Sequence, residues 1–118
     1  MHLSTQEAIL TADRKYKDVV QLPNSLVIKN IAEVHGIIHM RLTESPEITL
    51  EIPEDAEADL SFVQLVESAR MDARAAGKTM RLAAPATGSV LKVLKRGGFT
   101  DAQSAEDAQF WLHQEVRV

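Results

Sequence analysis

The sequence has no cysteine, few aromatic residues and no long apolar run. Without cysteine the chain forms no disulfide bond and no cysteine-ligated zinc site, as is typical of proteins from a reducing compartment. Three phenylalanines, one tyrosine and one tryptophan are too few to build platforms on which nucleic-acid bases stack. No apolar run reaches the roughly 18 residues that a transmembrane helix needs, so the sequence predicts no insertion into a membrane.

Basic charge is also scarce, because 13 Lys and Arg residues stand against 17 Asp and Glu residues, which gives a net charge of -4. Binding to phosphate backbones requires clustered basic residues, so this balance argues against a nucleic-acid partner. The N-terminal segment MHLSTQEAILTADRK has no basic region before its apolar run, which Thr11 and Asp13 interrupt. It lacks the pattern of a signal peptide, and we expect an unprocessed, cytoplasmic protein.

What the chain does contain suits one domain. Its 118 residues, 45% of them hydrophobic, can fill a core that buries roughly two-thirds of the surface of the unfolded chain. Residues 1–17 are expected to form an N-terminal arm or a short helix, since Ser4 and Glu7 make a capping-box pattern. Residues 18–118 are expected to form a single domain that includes a C-terminal helix.

The first half of that domain alternates between strand and helix patterns. The runs DVVQLP and SLVIKN are short and rich in β-branched residues, and the turn signal Pro23-Asn24 between them predicts two strands in a hairpin. From Ile31 the apolar residues recur at helical spacing until Ser45-Pro46 ends the helix. The run EITLEIP then alternates between apolar and polar residues, which predicts a half-buried strand at 47–53.

The second half repeats this alternation. After the acidic loop EDAEAD, an apolar stripe predicts a helix from Ser61 to Ala76, with Gly77 as its C-terminal glycine. TMRLAAP predicts a strand, TGSVLKVLKRGG a helix, and Ser104 with Asp107 the start of a short terminal helix. Strands that alternate with helices imply βαβ crossovers, so we expect an α/β fold. Its mixed sheet of about four to five strands would carry helices packed on it, plus short terminal helices.

Ser61 occupies the start of the helix that follows strand 47–53, at the end of the sheet where α/β proteins usually place functional groups. With Gln64 it matches a capping box, and this role alone would explain it. A serine at an exposed helix N-terminus is also open to phosphorylation, which would add about -1.5 to -2 charges. The sequence leaves both roles open, and Asp59 is expected to be a cap or turn residue beside it.

Val63 is expected on the flank of this helix that faces away from the core stripe, on the same side as Glu67. Beside Leu60 and Met71 it would form a small docking patch, although a single exposed valine is normal. The candidate partner-binding residues are therefore Asp59, Leu60, Ser61, Val63, Gln64 and Glu67.

The chain from Asp18 to about Phe99 resembles a STAS domain, the sulphate-transporter and anti-sigma-factor-antagonist fold. The resemblance is carried by the hairpin DVVQLPNSLVIKN, the strand EITLEIP, the segment ADLSFVQLVESARMDARAAGKTMRLAAP and the closing SVLKVLKRGGF. The signature of that family is Asp, two Ser or Thr residues, Gly and Leu at the start of this same helix. Asp59 and Ser61 match the signature, whereas the residues at 60 and 62 replace its first hydroxyl residue and its glycine.

The resemblance implies a bacterial regulator similar to an anti-anti-sigma factor. Its partner would be an anti-sigma factor with serine-kinase activity, and phosphorylation of Ser61 would release that partner. The variant DLSFVQL is similar to short STAS proteins encoded beside chemotaxis and signalling genes. Two alternatives therefore stay open: a docking subunit of a transporter complex that is not phosphorylated, and an accessory protein of a chemotaxis or two-component system that reads a histidine kinase.

No enzyme, metal or nucleotide site is evident in the sequence. No nucleophile–base pair and no paired carboxylates emerge, so we expect neither catalysis nor a cofactor. The tripeptide Gly77-Lys78-Thr79 lacks the first glycine of a P-loop and ends a helix instead of starting one. His35 and His39 are four residues apart, a spacing that can hold a metal, but no third ligand is evident and we expect no metal site.

Overall fold

The computed structural model describes residues 18–101 and 104–114. Its strands are β1 (Val19–Gln21), β2 (Ser25–Leu26), β3 (Glu47–Glu51), β4 (Glu57–Ala58) and β5 (Thr79–Leu82). Its helices are α1 (Ile31–Glu44), α2 (Leu60–Ala75), α3 (Gly88–Arg96) and α4 (Ala105–Leu112), and a short 3-10 helix, Ile28–Asn30, precedes α1. The predicted arm or helix at 1–17 lies outside the described residues. Within the described part of the chain, no helix has both the length and the apolar character needed to span a membrane.

The strands form two small parallel sheets. β1, β3 and β5 pair in that order, and β2 pairs with β4. The prediction of an α/β fold is confirmed. The prediction of one mixed sheet of four to five strands is wrong for the described residues, because their strands divide into sheets of three and two and all run parallel.

β1 and β2 do not form the predicted hairpin. Both run in one direction along the β3–β4 segment, with Val19 opposite Thr49 and Ser25 opposite Glu57. The β3–β4 side therefore contains two more residues than the β1–β2 side, and the turn between β3 and β4 absorbs them. Because Pro23 has no N–H group to donate, it interrupts the ladder without reversing the chain.

β3 is the central strand of the larger sheet. On one face Val20, Leu50 and Leu82 lie side by side in register, and all three are buried. On the other face Thr49 lies beside Arg81 and is only 1% exposed. The predicted half-buried strand is therefore wrong at its centre, because a central parallel strand is enclosed by neighbours on both sides.

α1 and α2 cover the apolar face of the larger sheet. α1 contacts β1 and β3, α2 contacts β5, and the two helices contact each other, as right-handed crossovers require. The helical face predicted for α1 is confirmed, with Val34, Ile38 and Leu42 buried. α2 ends at the predicted place, because Gly77 adopts a φ of +71°, a left-handed conformation that costs glycine no strain.

α3 and α4 enclose the other side of α2. α3 contacts α2 and β4, and α4 contacts β5. The predicted start of α4 is confirmed, since the Ser104 hydroxyl oxygen accepts the Asp107 N–H at 3.1 Å. Trp111 of α4 is 2% exposed, and its indole N–H donates to the Glu67 carboxylate of α2 at 2.9 Å. The Ala86 N–H donates to the Trp111 carbonyl at 2.7 Å, so the helix is tied both to α2 and to the loop after β5.

Arg70 joins α2 to α4 through a mostly buried cation. Its guanidinium lies 4.3 Å from the centroid of the Phe110 ring, and it contacts the carboxylates of Glu67 at 2.7 Å and Asp107 at 3.0 Å. Burial raises the pKa of Asp107, but the hydrogen bond and charge of Arg70, with help from Ser104, outweigh burial and lower that pKa overall. The carboxylate therefore stays ionised where α4 meets α2.

Candidate functional site

Asp59, and not Ser61, is the N-cap of α2. The Asp59 Oδ1 atom accepts the Ser61 N–H at 3.0 Å and also accepts the Ser61 hydroxyl. The Asp59 Oδ2 atom accepts the Ile28 N–H at 2.9 Å. The predicted capping role of Ser61 is wrong, because α2 begins at Leu60 and Ser61 is its second residue. One carboxylate thus joins the start of α2 to the segment that follows β2.

β4 fixes the position of Asp59. It pairs with β2 on one side, and on the other side Ser89 of α3 takes the place of a strand. The Ala58 N–H donates to the Ser89 hydroxyl oxygen at 3.0 Å, and the same hydroxyl donates to the Ala58 carbonyl at 3.1 Å. The Asp59 N–H then donates to the Leu26 carbonyl at 3.3 Å. The backbone that leads into the cap is held from both sides.

Asp59 is held as an anion. The hydrogen bond from the Ser61 hydroxyl is the largest cause of its lowered pKa, and the N–H groups of Ile28, Ser61 and Phe62 lower the pKa further against the opposing effect of burial. The carboxylate is therefore ionised at neutral pH, and the Ser61 hydroxyl directs its proton toward it. This arrangement orients a half-buried hydroxyl at the positive end of a long helix.

Two apolar side chains are exposed beside this cap. Leu60 is 45% exposed and Ile28 is 66% exposed, and both adjoin Asp59, one through the chain and one through its N–H. A shallow groove of about 260 Å³ begins at Asp59 and Leu60 and continues to Arg96 of α3. We call Ile28, Asp59, Leu60, Ser61 and Arg96 the Ser61 surface. It combines apolar, anionic and cationic groups with one hydroxyl, which is bonded to the Asp59 carboxylate.

Val63 does not contribute to the Ser61 surface. Its side chain is 0% exposed and belongs to the same core cluster as Val90 and Leu94 of α3. The predicted exposure is wrong, because α3 packs against the side of α2 that the helical periodicity leaves to solvent. Leu60 and Met71 are exposed, but they are about 16 Å apart along α2 and form no continuous patch with Val63.

The remaining predicted partner-binding residues separate into two groups. Gln64 is exposed on the turn of α2 next to the Ser61 surface. Glu67 faces α4, where its carboxylate accepts hydrogen bonds from Arg70 and Trp111. The structure therefore brings Asp59, Leu60 and Ser61 together, leaves Gln64 beside them, and engages Glu67 in contacts between helices.

The other sequence motifs do not assemble into sites. The rings of His35 and His39 stack with 5.7 Å between their centroids. In 18–101 and 104–114, no group of three or more metal-binding side chains is placed to hold an ion. The Lys78 ammonium donates to the carbonyls of Leu42 and Thr43, so it joins the end of α1 to the loop before β5.

Ile28, Ser89 and Arg96 belong to the site or support it, and the sequence did not single them out. Ile28 was predicted within a strand, but β2 ends at Leu26 and a 3-10 helix begins at Ile28. The contact between Ser89 and Ala58 joins residues 31 positions apart, so no local pattern reveals it. Arg96 is in the last turn of α3, where the helix dipole alone favours a cation, and only the packing of α3 brings it beside Leu60.

No protein-family model, curated protein or solved structure matches this chain. Two features of the chain therefore point to a function: the geometry of the Ser61 surface and the resemblance of its residues to the STAS signature. The geometry is the stronger of the two, because the Ser61 surface brings together residues from three separate parts of the chain: Ile28, the segment 59–61 and Arg96.

Replacing Asp59 with alanine is expected to lower the free energy of unfolding by about 1–2 kcal/mol. α2 would lose its cap, and the Ile28 N–H would lose its acceptor. Urea unfolding followed by circular dichroism measures the change. Asp59→Asn is the matched control, since asparagine caps a helix about as well as aspartate but cannot ionise.

A comparison of the native chain with Asp59→Asn also tests the charge of the cap. The pKa of Asp59 in the folded chain lies below its unfolded value, so its ionisation stabilises the fold above a pH of about 4. That contribution is lost as the pH falls through the folded-state pKa. Acidification should therefore destabilise the native chain more than Asp59→Asn, and an equal loss in both would contradict an ionised cap.

Proposed function

We propose that this protein is a cytoplasmic STAS-type regulatory protein, similar to an anti-sigma factor antagonist, which binds a protein partner through the Ser61 surface and is switched by phosphorylation of Ser61. The observation that carries the proposal is the hydrogen bond from the Ser61 hydroxyl to the Asp59 carboxylate at the start of α2. It is supported by the position of α2, which follows the β3–β4 segment at the carboxyl end of the sheet.

Exposed apolar side chains support binding to a protein. Ile28 and Leu60 offer the Ser61 surface a small apolar centre, and Arg96 and Asp59 border it with charge of both signs. Protein interfaces commonly have this arrangement, in which a dry apolar centre is bordered by polar groups. A partner that packs on Leu60 would bring its own groups close to the Ser61 hydroxyl.

Phosphorylation would act on the cap itself. Ser61 would lose the proton that it donates to Asp59 and gain about -1.5 to -2 charges beside that carboxylate. The N-terminus of α2 favours an anion, but Asp59 already occupies it, and two like charges repel each other. Asp59 also accepts the Ile28 N–H. Repulsion between Asp59 and the phosphate would therefore disturb the exposed Ile28 as well as the bound partner.

Ser61→Asp is expected to weaken binding of the partner about a hundredfold relative to Ser61→Ala, which corresponds to about 2.8 kcal/mol. The reason is the added charge within the contact. Isothermal titration calorimetry should use the anti-sigma kinase or histidine kinase encoded nearest to the gene. Intact-mass measurement after incubation with the anti-sigma serine kinase and ATP should show one added phosphate on the native chain and none on Ser61→Ala.

Ser68→Asp is the matched control, because Ser68 is an exposed serine on the same helix and lies outside the Ser61 surface. It should bind the partner as the native chain does. Equal affinity of Ser61→Asp and Ser61→Ala for a partner that does bind would refute the switch.

A docking protein without phosphorylation is the second candidate. The observation that favours it is the exposed Leu60, which stands where the STAS signature has a hydroxyl residue, together with Phe62 in place of the glycine. The exposed Leu60 makes the surface more apolar, and both replacements make the segment less similar to the signature that is phosphorylated in that family. A partner that binds the native chain, Ser61→Ala and Ser61→Asp equally would support this function, in a transporter complex or beside a histidine kinase.

A further inference from the structure

The groove beside Leu60 combines apolar surface with a cation. Leu60, at the start of α2, is 45% exposed and lines the groove from one side. Val93 and Gly97 line it from the α3 side, together with the exposed Arg96, the last residue of α3. We call this space of about 260 Å³ the Leu60 groove. Its size and lining suit an aliphatic side chain that has an anionic group next to it.

Most cations of the described chain already have a partner. Three arginines form ion pairs with carboxylates, and two further cations donate to backbone carbonyls: Arg70, Arg74, Arg81, Arg41 and Lys78. Within residues 18–101 and 104–114, four exposed cations make no ion pair and no side-chain hydrogen bond: Lys29, Lys92, Lys95 and Arg96. Lys29 follows Ile28 of the Ser61 surface, and the other three belong to α3. The cations of this part of the chain that are available to a ligand therefore lie on or near the Ser61 surface.

The cations of α3 lie at different angles from the Leu60 groove. Taking 100° per residue, Arg96 lies about 60° around the helix axis from Val93, and Lys92 lies about 100° away in the same direction. Lys95 is about 160° away and is therefore the farthest from the groove. Lys92 and Arg96 are four residues apart, a spacing at which two like charges destabilise a helix. A ligand with negative charge at this face of α3 would relieve that repulsion.

Asp59 also lines the Leu60 groove, but its negative charge is compensated. Its two carboxylate oxygens accept the Ile28 N–H, the Ser61 N–H and the Ser61 hydroxyl. It also lies at the N-terminus of α2, where the helix dipole is positive. Arg96 has no ion pair with a described carboxylate, so its charge dominates the field that the groove presents to a ligand.

The other carboxylates of this region lie near the start of α3, away from Arg96. The exposed acidic side chains of the segment that leads into β4 come just before Ala58: Glu54, Asp55 and Glu57. Ala58 is bonded to Ser89, the second residue of α3, and Arg96 is about 10 Å farther along that helix. A flat anionic surface, such as a membrane, would meet these carboxylates as well as the cations. A narrow acidic segment of a protein can instead reach the end of α3 alone.

We propose that the Leu60 groove binds an acidic segment of the partner protein, in which an aliphatic side chain enters the groove beside Leu60 and carboxylates pair with Arg96 and Lys92. This inference rests on the proposed function, because it gives the chemistry of the partner that the Ser61 surface binds. A guanidinium can bind a carboxylate through two parallel hydrogen bonds, so Arg96 provides orientation as well as attraction. An acidic partner also explains the effect of a phosphate on Ser61, since that phosphate would stand one residue from Leu60 and repel the carboxylates of the partner.

The probe is a blocked peptide in which one leucine is flanked by glutamates. It is titrated into the full chain while proton–nitrogen correlation spectra are recorded. The amide resonances of Leu60 and Gly97 should shift and reach saturation, whereas that of Ala75, about 22 Å away along α2, should not move. A peptide with lysine in place of glutamate and a peptide with serine in place of leucine should each bind at least about tenfold more weakly.

Three substitutions in α3 distinguish a contact from a general attraction between charges. Arg96→Ser should weaken binding of the acidic peptide about tenfold, and Lys92→Ser about threefold. Lys95→Ser is the matched control, because it removes an exposed cation of the same helix and should leave the affinity within about twofold of the native value. All three side chains are exposed, so the variants should fold as the native chain does. Equal losses for the three variants would mean that only the net charge matters, and would overturn the contact.

The same titration separates this inference from the proposed function. Ser61→Asp should bind the acidic peptide at least about fivefold more weakly than Ser61→Ala. If both variants bind the peptide equally, the Leu60 groove keeps its ligand and the phosphorylation switch fails. If the anti-sigma kinase binds and Ser61→Asp releases it, but the acidic peptide leaves the Leu60 and Gly97 resonances unmoved, the switch stands and the acidic contact is overturned.

Two further results would overturn the acidic contact with a partner protein. Vesicles of phosphatidylserine and phosphatidylcholine could shift the Leu60 and Gly97 resonances where the peptide does not, which would assign the cations of α3 to a lipid surface. Alternatively, sedimentation could show the full chain to be a dimer that Arg96→Ser converts to a monomer. The occupant of the Leu60 groove would then be a second copy of the chain.

Discussion

Trp111→Ala is expected to lower the free energy of unfolding by about 3–5 kcal/mol, a large part of the stability of a domain of this size. Trp111 is 2% exposed, and its ring lies edge-on to Phe110, with 5.1 Å between the centroids. The substitution would leave a cavity between α4 and the core, and it would also remove the hydrogen bond from the indole to Glu67. Urea unfolding followed by far-ultraviolet circular dichroism measures the loss.

Trp111→Phe is the matched control, because it keeps most of the apolar volume and removes only the indole N–H and part of the ring. It should lower the free energy of unfolding by about 1–2 kcal/mol. In the native chain Trp111 is the only tryptophan, so its fluorescence reports on α4 alone and should be that of a buried indole. A loss below about 1 kcal/mol for Trp111→Ala would mean that α4 does not belong to the folded core.

Val63→Asp is expected to destabilise the fold by several kcal/mol, enough to leave the chain unfolded at room temperature if its stability is ordinary. Val63 is 0% exposed, so the substitution would bury a carboxylate without a partner between α2 and α3. Circular dichroism and the width of the proton–nitrogen spectrum distinguish a folded from an unfolded chain.

Leu60→Asp is the control for that experiment, since the new charge would be exposed to water at the first residue of α2. Its free energy of unfolding should stay within about 0.5 kcal/mol of the native value. Equal free energies of unfolding for Val63→Asp and Leu60→Asp would instead support the prediction that Val63 lies on the surface. The contrast therefore tests the packing of α3 on α2 as well as the composition of the Ser61 surface.

Local patterns predicted most helices correctly. The face of α1, the glycine end of α2 and the Ser104 cap of α4 each depend on residues within one or two turns of each other. The helix predicted at TGSVLKVLKRGG is confirmed as α3, which buries Val90, Val93 and Leu94 but leaves Leu91, at helical spacing from Leu94, half-buried. The difference arises because α3 lies against both α2 and β4, and the orientation that satisfies both cannot be read from α3 alone.

Strand pairing was predicted less well, because it depends on partners far away in the chain. The turn signal at Pro23 suggested a reversal, yet β1 and β2 continue in one direction beside β3 and β4. β4 was predicted as part of an acidic loop, and it is a strand only because β2 and Ser89 supply partners for its backbone. A two-residue strand has too few side chains to reveal itself by alternation.

The sequence by itself determined the class of fold, most of the helices and the candidate residues Asp59 and Ser61, because periodicity and capping are properties of neighbouring residues. Only the tertiary structure decided that Val63 is buried, that Ile28 lies beside Asp59, and that Arg96 lies beside Leu60. Each of these depends on a contact between segments some 30 or more residues apart, and no local pattern encodes such a contact.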